Sequence, residues 1–583
     1  MLLRRRNPGL QTSQELGCWD KKLAGIMAST ELGPRALRLL QHGALVYSDY
    51  SGYDSPREGL RVAMPTLWSE MQSDPVDILF TRSCDWGKDQ QQVLKHVSTS
   101  MDDGRSCVFR DINDRLHNDV KAWIDEAAPS TDSKLTKSDA IKANQTIQEF
   151  LEKNRSWALP LNCTSWCSVH HRPCPVYPLW AWRMKAAGRV DRVETLCKEA
   201  GLSRFSPRLS SSSLKLAERR PWWLQHTGNT PACKRRRQSL CDFVGGSDSE
   251  NDDSSMPATE PLAIVTAGLT CTDYSPLGLQ LRDGGATERH HAVWVHDRKA
   301  AAAHNVEDLA FFENSDRYPA DAKMSQALTK THTVVFIKTS PEDLGHPVKR
   351  RRTFGVAINK QRVVWVGPEI GDVKKNFDDL FGSSLALDGD AYFVASQADV
   401  NQMAEEMARR RKRKLAPNFE QMPMTDYFTS VLAPGALLRH TEYDQVRLRT
   451  VGPNEPHLAD LEQHGEYGQK GGRLMPVLAT HPTIFSWVHQ RVAHPKELFF
   501  AQGLDMYSHT SGGRGVSPLA KILARLPTRS SKVLCGNAMH VPTYATWMLY
   551  VLGNCRIVSD FCRLEVPLSN ARGDGDDDPE NDT

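Results

Sequence analysis

Residues 263–278 read AIVTAGLTCTDYSPLG. An apolar run, Ala263-Ile264-Val265, gives way to small residues and then to a single cysteine, Cys271, between Thr270 and Thr272. A short apolar run that ends on glycine is the pattern of a buried strand. A thiol just past its end has two readings. Free cysteine packs like a small hydrophobe. It also serves as a nucleophile when displayed at the carboxyl end of a strand, where open α/β sheets keep their chemistry.

The neighbouring sequence favours an open sheet. LVYSD, VDILFT and CVFRDI upstream, and DLAFFEN, TVVFIK, TFGVAIN and RVVWVG downstream, are further candidate strands separated by helical or loop segments. Such a series predicts an α/β fold with a mostly parallel sheet covered on both faces. Charge and complexity divide the chain into an N-terminal extension (1–42), one half of the α/β domain (43–115) and a polar, low-complexity insert with a Cys/His cluster (116–256). Beyond these lie the second half (257–370), a smaller domain (371–490), a return to the first domain (491–560) and an acidic tail (561–583).

The chain has 583 residues, 40% hydrophobic and 25% charged, which suits a globular protein of several domains. A net charge of +3 leaves the overall balance uninformative about polyanions. The charges are nonetheless clustered, at Arg4 to Arg6, Lys234 to Arg237, Lys349 to Arg352 and Arg409 to Lys414. Thirteen scattered cysteines behind a start, MLLRRRNPGL, that lacks a secretory core predict reduced thiols in the cytosol or nucleus. The most apolar stretch, YATWMLYVLGNC, is shorter than the roughly 20 residues that span a bilayer, so no membrane partner is expected. A helix is predicted after Ser396, where Ser396 and Asp399 have capping-box-like spacing. The basic run 409–414 at its end reads either as complement to the helix dipole or as a nuclear import or phosphate-contacting patch.

If Cys271 attacks carbon 6 of a pyrimidine, it needs an acid to hold a proton at ring N3 and a cation to support the base and the thiolate. Glu313 and Asn314 come directly after the apolar run DLAFF, which places a carboxylate at another strand end. Arg350 and Arg352 stand two apart at the start of TFGVAI, a spacing that points both to one face of an extended segment.

On these residues the chain resembles the S-adenosylmethionine-dependent C5-cytosine methyltransferases. AGLTCTDYS is similar to the family's GGPPCQxFS stretch, with Cys271 on the nucleophile. Glu313-Asn314-Ser315 resembles ENV, and Gly345 to Arg352 resembles GxPQxRxR. HPKELFFAQGLD (494–505) resembles the TPREcaRLQGFP pattern, and Gly536 to Pro542 is similar to GNAVPP. In the first half, SDYSGYDSPREGL (48–60) resembles DVFSGCGGLSEGF. The resemblance covers roughly 45–115 and 260–560.

It implies a Rossmann-like methyltransferase with a smaller target-recognition domain between Arg352 and His494. Cys271, Glu313, Arg350 and Arg352 would be catalytic. Tyr50, Ser51, Gly52, Asp85, Trp86, Asp111, Ile112 and Asn537 would hold S-adenosylmethionine, with Asp85 on the ribose, Trp86 on the adenine and Asp111-Ile112 beside it. The implied activity is methyl transfer to carbon 5 of cytosine in DNA, in the nucleus. RNA is the alternative polymer, and a non-catalytic nucleic-acid-binding protein of the same fold is the alternative class. Gly52-Tyr53-Asp54-Ser55 stands where the family has GxGG, and an inward-pointing Asp54 would repel the cofactor's carboxylate. Outside the resemblance, NCTSWCSVHHRPCP (162–175) offers Cys163, Cys167, His170, His171 and Cys174, of which four would close a tetrahedral zinc site. Cys163, Cys167, His170 and Cys174 are the candidate set.

Overall fold

The computed structural model describes residues 7–177 and 260–558, apart from 103, 128–135, 162, 276–277, 279, 416–420, 453–454 and 466–470. Its strands are β1 (Ala44–Asp49), β2 (Ile78–Cys84), β3 (Cys107–Phe109), β4 (Thr164–Cys167), β5 (Arg172–Pro175), β6 (Leu262–Gly268), β7 (Leu309–Ser315), β8 (His332–Thr339) and β9 (Arg352–Asn359). Seven of them form one sheet in the order β3-β2-β1-β6-β7-β9-β8. The first five in that order run parallel, and β9 is antiparallel to both β7 and β8. This order, with one strand reversed near the edge, is the Rossmann-like methyltransferase arrangement expected from the sequence.

Alternate residues of each strand feed opposite cores, as the period of two requires. Ala44, Val46, Ile264, Leu309 and Phe311 face one core, while Leu45, Tyr47, Ala263, Val265, Ala310 and Phe312 face the other. The first core is covered by the helices Ser55–Glu70 and Val541–Gly553 and by two N-terminal helices, Trp19–Ala28 and Leu32–Leu39. Residues 13–39, expected as an extension, are therefore part of the main body, with Trp19, Leu23 and Met27 buried in it. Every residue of Val541–Gly553 is buried, which accounts for the apolar stretch YATWMLYVLG. Among the described residues, no helix is long and apolar enough to cross a membrane.

The second core is covered by the helices Glu288–Ala303, Lys137–Lys153 and Asn118–Ala127. The insert thus begins later than expected from composition. Ile147 and Leu151 are fully buried, Trp123 stacks on Phe150 at 4.2 Å, and β4 and β5 form a hairpin. The low-complexity stretch itself, with the Lys234 to Arg237 cluster, lies outside the described residues, as do Arg4 to Arg6 and the acidic tail.

Two further expectations are corrected. RVVWVG supplies β10 (Val363–Trp365), which pairs not with the large sheet but with the C-terminal segment Cys555–Ile557. The smaller domain has its own core, built from Val400, Tyr427, Phe428, Phe485 and Val492 on the helices Gln397–Arg410 and Met424–Val431 and a three-stranded antiparallel sheet. The helix Val373–Phe381, which falls inside the bounds expected for that domain, instead packs Phe377 against Trp547 and Tyr550 of the main body. Ser396 caps Gln397–Arg410 as predicted, accepting a hydrogen bond from the Asp399 backbone N–H at 3.2 Å. In the basic run, Arg411 donates to the Val431 carbonyl and Arg413 to that of Ser430 at 2.6 Å. These two cations cap the end of the neighbouring helix Met424–Val431, where carbonyls lack partners.

Charged groups join the halves of the sheet. Arg115 bonds Asp49 at the end of β1 and Asp297 of Glu288–Ala303 (2.5 Å to the latter), and all three are buried. Arg82 of β2 adds a 3.4 Å contact to Asp49, and Arg298 bridges Asp297 and Glu307. Burial pushes the Asp49 carboxyl up, but Arg115, Arg82 and Arg298 overcome this and hold it well below the usual carboxylate range. Removing one partner from a buried set leaves an uncompensated charge. Arg115→Met is expected to lower the unfolding free energy by about 3–5 kcal/mol. The measurement is the denaturant midpoint at unchanged slope.

Candidate active site

Parallel β1, β2, β3, β6 and β7 bring their carboxyl ends to one edge, where the chemistry of an open α/β sheet is expected. At the end of β6, a side chain on Gly268 would sit 3.0 Å from Met539 Cε and 3.2 Å from the Tyr50 carbonyl oxygen. A Cβ here would crowd the end of β1 and the C-terminal 536–542 turn, which glycine lets close tightly over this point. The Leu269 N–H donates to the Glu313 carbonyl at 3.1 Å, so the β6–β7 ladder continues one residue past the strand. Cys271 comes next, in a turn whose Tyr274 and Ser275 N–H groups donate to the Cys271 carbonyl at 3.0 and 2.7 Å. The Tyr274 hydroxyl anchors the turn on Glu288 at 2.6 Å.

Cys271 is partly buried, and Glu313, 7% exposed, is the acid whose charge reaches it. Burial pushes the Cys271 thiol up; Arg352 and Arg350 pull it back, while Glu313 opposes them. Burial likewise raises the Glu313 carboxyl, against Arg352 and then Arg350. Arg352 Nε stands 3.2 Å from Glu313 Oε1, an ion pair without the alignment of a hydrogen bond. The Asn314 side-chain Nδ2, next along the strand, is buried and also without a hydrogen-bond partner. The edge therefore presents a thiol, a carboxyl biased towards its protonated form and a guanidinium, with polar atoms left over to receive a ligand.

The two arginines do not act alike. β9 begins at Arg352, so Arg350 lies just before the strand, and the two side chains have different partners. Arg350 is buried and donates to the carbonyls of Leu478 (3.4 Å), Gly536 (3.1 Å) and Ala538. Burial, with repulsion from Arg352, lowers it to about 10. It is a positioning residue that fastens the 536–538 turn beside Cys271. Glu497 of the HPKE stretch is similarly committed, to Arg491 at 2.7 and 2.8 Å.

At the ends of β1 to β3, Tyr50, Gly52 and Asp54 all have positive φ, so the 50–54 turn is tightly wound. Ser51 is locked into it, donating to the Ser48 carbonyl at 2.9 Å and accepting from Cys84 N–H at 3.1 Å. The Tyr50 hydroxyl donates to the His290 carbonyl at 3.0 Å. A side chain at Gly52 (φ +58°) would meet nothing within 4 Å, which marks open space in front of the turn. Asp85 accepts from Gly52 N–H at 2.9 Å and from Gly87 N–H at 3.1 Å. Trp86 is 76% exposed beside it. Asp111 caps the short helix Ile112–Arg115 through Asn113 N–H at 2.9 Å, and Ile112 is buried. Asn537 is exposed at the end of the helix Thr528–Asn537, next to the carbonyls that Arg350 holds. Asp54 does not face the open space uncompensated. It is buried, accepts from Arg57 Nε at 2.8 Å and from Ser83, and Arg57 is shared with Asp102.

Of the zinc candidates, Cys167, His170 and Cys174 converge, but Cys163 does not. Cys163 sits near Asp297, Arg115 and Arg82, and its place is taken by Cys107 of β3. No local spacing could have shown this, because Cys107 is brought in by a tertiary contact.

No protein-family profile and no curated protein matches the chain. Among solved structures it is similar to S. pombe Dnmt2 methyltransferase (9% identity, TM-score 0.32, 87% of this chain and 98% of that one). It is also similar to the Entamoeba histolytica methyltransferase EhMeth (7%, 0.35, 87% and 97%) and to a Spodoptera frugiperda DNMT2 mutant (9%, 0.32, 88% and 99%). Each of those proteins is a methyltransferase or DNMT2 by name.

Burial raises the Asp85 carboxyl to about 6, although the Gly52 and Gly87 amides favour its ionised form. A ligand that donates hydroxyls to Asp85 binds the ionised form better. If the site takes S-adenosylmethionine, affinity for it is expected to rise as pH passes upward through about 6 and then to level off. Asp85→Asn should weaken binding and flatten the profile. Calorimetric titration of the cofactor over this pH range checks both.

Proposed function

We propose that the protein transfers a methyl group from S-adenosylmethionine to carbon 5 of cytosine in DNA through a covalent adduct on Cys271. The observation that carries this reading is the grouping of Cys271 with buried, proton-favouring Glu313 and its ion-paired Arg352 on one sheet edge. The space before Gly52, with the Asp85 carboxylate and the exposed Trp86 beside it, fits a nucleoside cofactor. Gly52, Asp85, Trp86 and the Asp111-Ile112 pair would hold it. When bound, it supplies an electrophilic methyl group.

The protein's own residues prepare the base. The target cytosine has to leave its stack to reach Cys271. The Cys271 sulfur bonds to carbon 6, and the electron pair of the 5,6 double bond is delocalised into the ring. The Glu313 carboxyl holds a proton at N3, so the ring does not carry full negative charge. Arg352 favours the thiolate beforehand and keeps Glu313 oriented. Once carbon 5 has used that electron pair to bond the methyl group, it loses its proton to water or hydroxide, the 5,6 double bond re-forms, and Cys271 departs as the thiolate.

Incubation with S-adenosylmethionine and 5-fluorocytosine duplexes should trap a denaturation-resistant adduct, because fluorine at carbon 5 blocks the proton loss that frees Cys271. Cys271→Ser should abolish it while cofactor binding persists, and Glu313→Gln should slow its formation by about 10²-fold or more. An adduct with an RNA pool alone would move the substrate to RNA. Cofactor binding without an adduct on either polymer would leave a binding protein.

A further inference from the structure

We infer that Cys107, Cys167, His170 and Cys174 bind one structural zinc ion that ties the 163–177 hairpin to the edge of the large sheet. Among the described residues, this is the group of Cys and His side chains whose donor atoms all lie within 4.8 Å of one another. The sulfurs of Cys107, Cys167 and Cys174 are each 3.4 Å from His170 Nδ1. With metal–sulfur bonds of about 2.3 Å and metal–nitrogen bonds of about 2.0–2.1 Å, a tetrahedral site has a sulfur–nitrogen edge of about 3.5 Å. Three equal edges of that length on one nitrogen are what a Cys3His site requires.

Two features lie outside the donor set and point the same way. His170 Nε2 stands 2.8 Å from the Gly104 carbonyl, which fixes the tautomer that leaves Nδ1 free, as the outer partner of a metal-bound histidine does. The His170 backbone N–H donates to Cys167 Sγ at 3.5 Å, a contact that stabilises a thiolate. Cys167 and Cys174 are buried against Cys84 and Phe109, which shield the group from solvent on that side. The cysteines are unbridged.

The placement gives the ion its role. β3 is the edge strand of the sheet, and an unpaired edge has to be covered. The hairpin does this through one backbone bond, Ser168 N–H to the Val108 carbonyl at 2.9 Å, and through the shared ligand Cys107. Binding releases the thiol protons and changes no oxidation state.

The test is metal analysis of the full chain produced with zinc. One zinc per chain is expected, retained in Cys163→Ser and lost in Cys107→Ser. Cobalt loading of the unmodified protein should give the tetrahedral d–d absorption and the thiolate-to-cobalt charge transfer of a three-sulfur site, so the result does not hang on how a variant folds. Absence of zinc together with no cobalt spectrum would overturn the inference. So would full zinc in Cys107→Ser, or its loss in a folded Cys163→Ser.

Discussion

The structure depends on one guanidinium. Arg115 sits between Asp49, which ends β1, and Asp297, on the helix beyond the Cys271 turn, so it joins elements from opposite sides of the long insert. With Arg82, Arg298 and Glu307 the set holds three cations and three carboxylates, all buried. Partial assembly would strand a charge in a medium that cannot solvate it, which costs several kcal/mol. The ladder between β1 and β6 sets their register. The ion set makes that register all-or-none, because half of it is worse than none.

The geometry of the sheet edge is a consequence of that closure. Once β1 and β6 are side by side, Tyr50 and Gly268 are in contact, and the gap above them is narrow enough for Met539 to fill. Arg350 then satisfies carbonyls that the end of a helix leaves over, fixing the C-terminal turn on the same spot. The reactive grouping is thus held by groups that do no chemistry. Arg352 and Glu313 keep unused hydrogen-bonding capacity because Arg350, Tyr274 and Ser51 have taken up the structural work around them.

Much of this was legible in the sequence because the informative signals were local. LVYSD, LAIVTAG and DLAFFEN are apolar runs with period-two partners in both cores, and they became β1, β6 and β7. Cys271 and Glu313 were recognisable as strand-end residues for the same reason. The misreadings share a cause as well. Composition hid the helix Lys137–Lys153, whose buried stripe, Ala140, Asn144, Ile147 and Leu151, has helical spacing but lies close to a low-complexity run. Cys163 and Cys107 exchanged places because a side chain's neighbours across the fold leave no trace in its own segment.

The β1–β6 junction has a consequence for how the chain can be handled. Its partners are separated in sequence by everything between Asp49 and Leu262, yet they are held by a parallel ladder, two shared cores and the Arg115 ion set. The entropy of closing so long a connection changes by only about 0.6 kcal/mol for each doubling of its length. The length of the connection through 178–259 therefore matters little to the association of the pieces it joins. Severed there, the two polypeptides carry complementary halves of one sheet and of one ionic lock, the makings of a split protein that reassembles by fragment complementation.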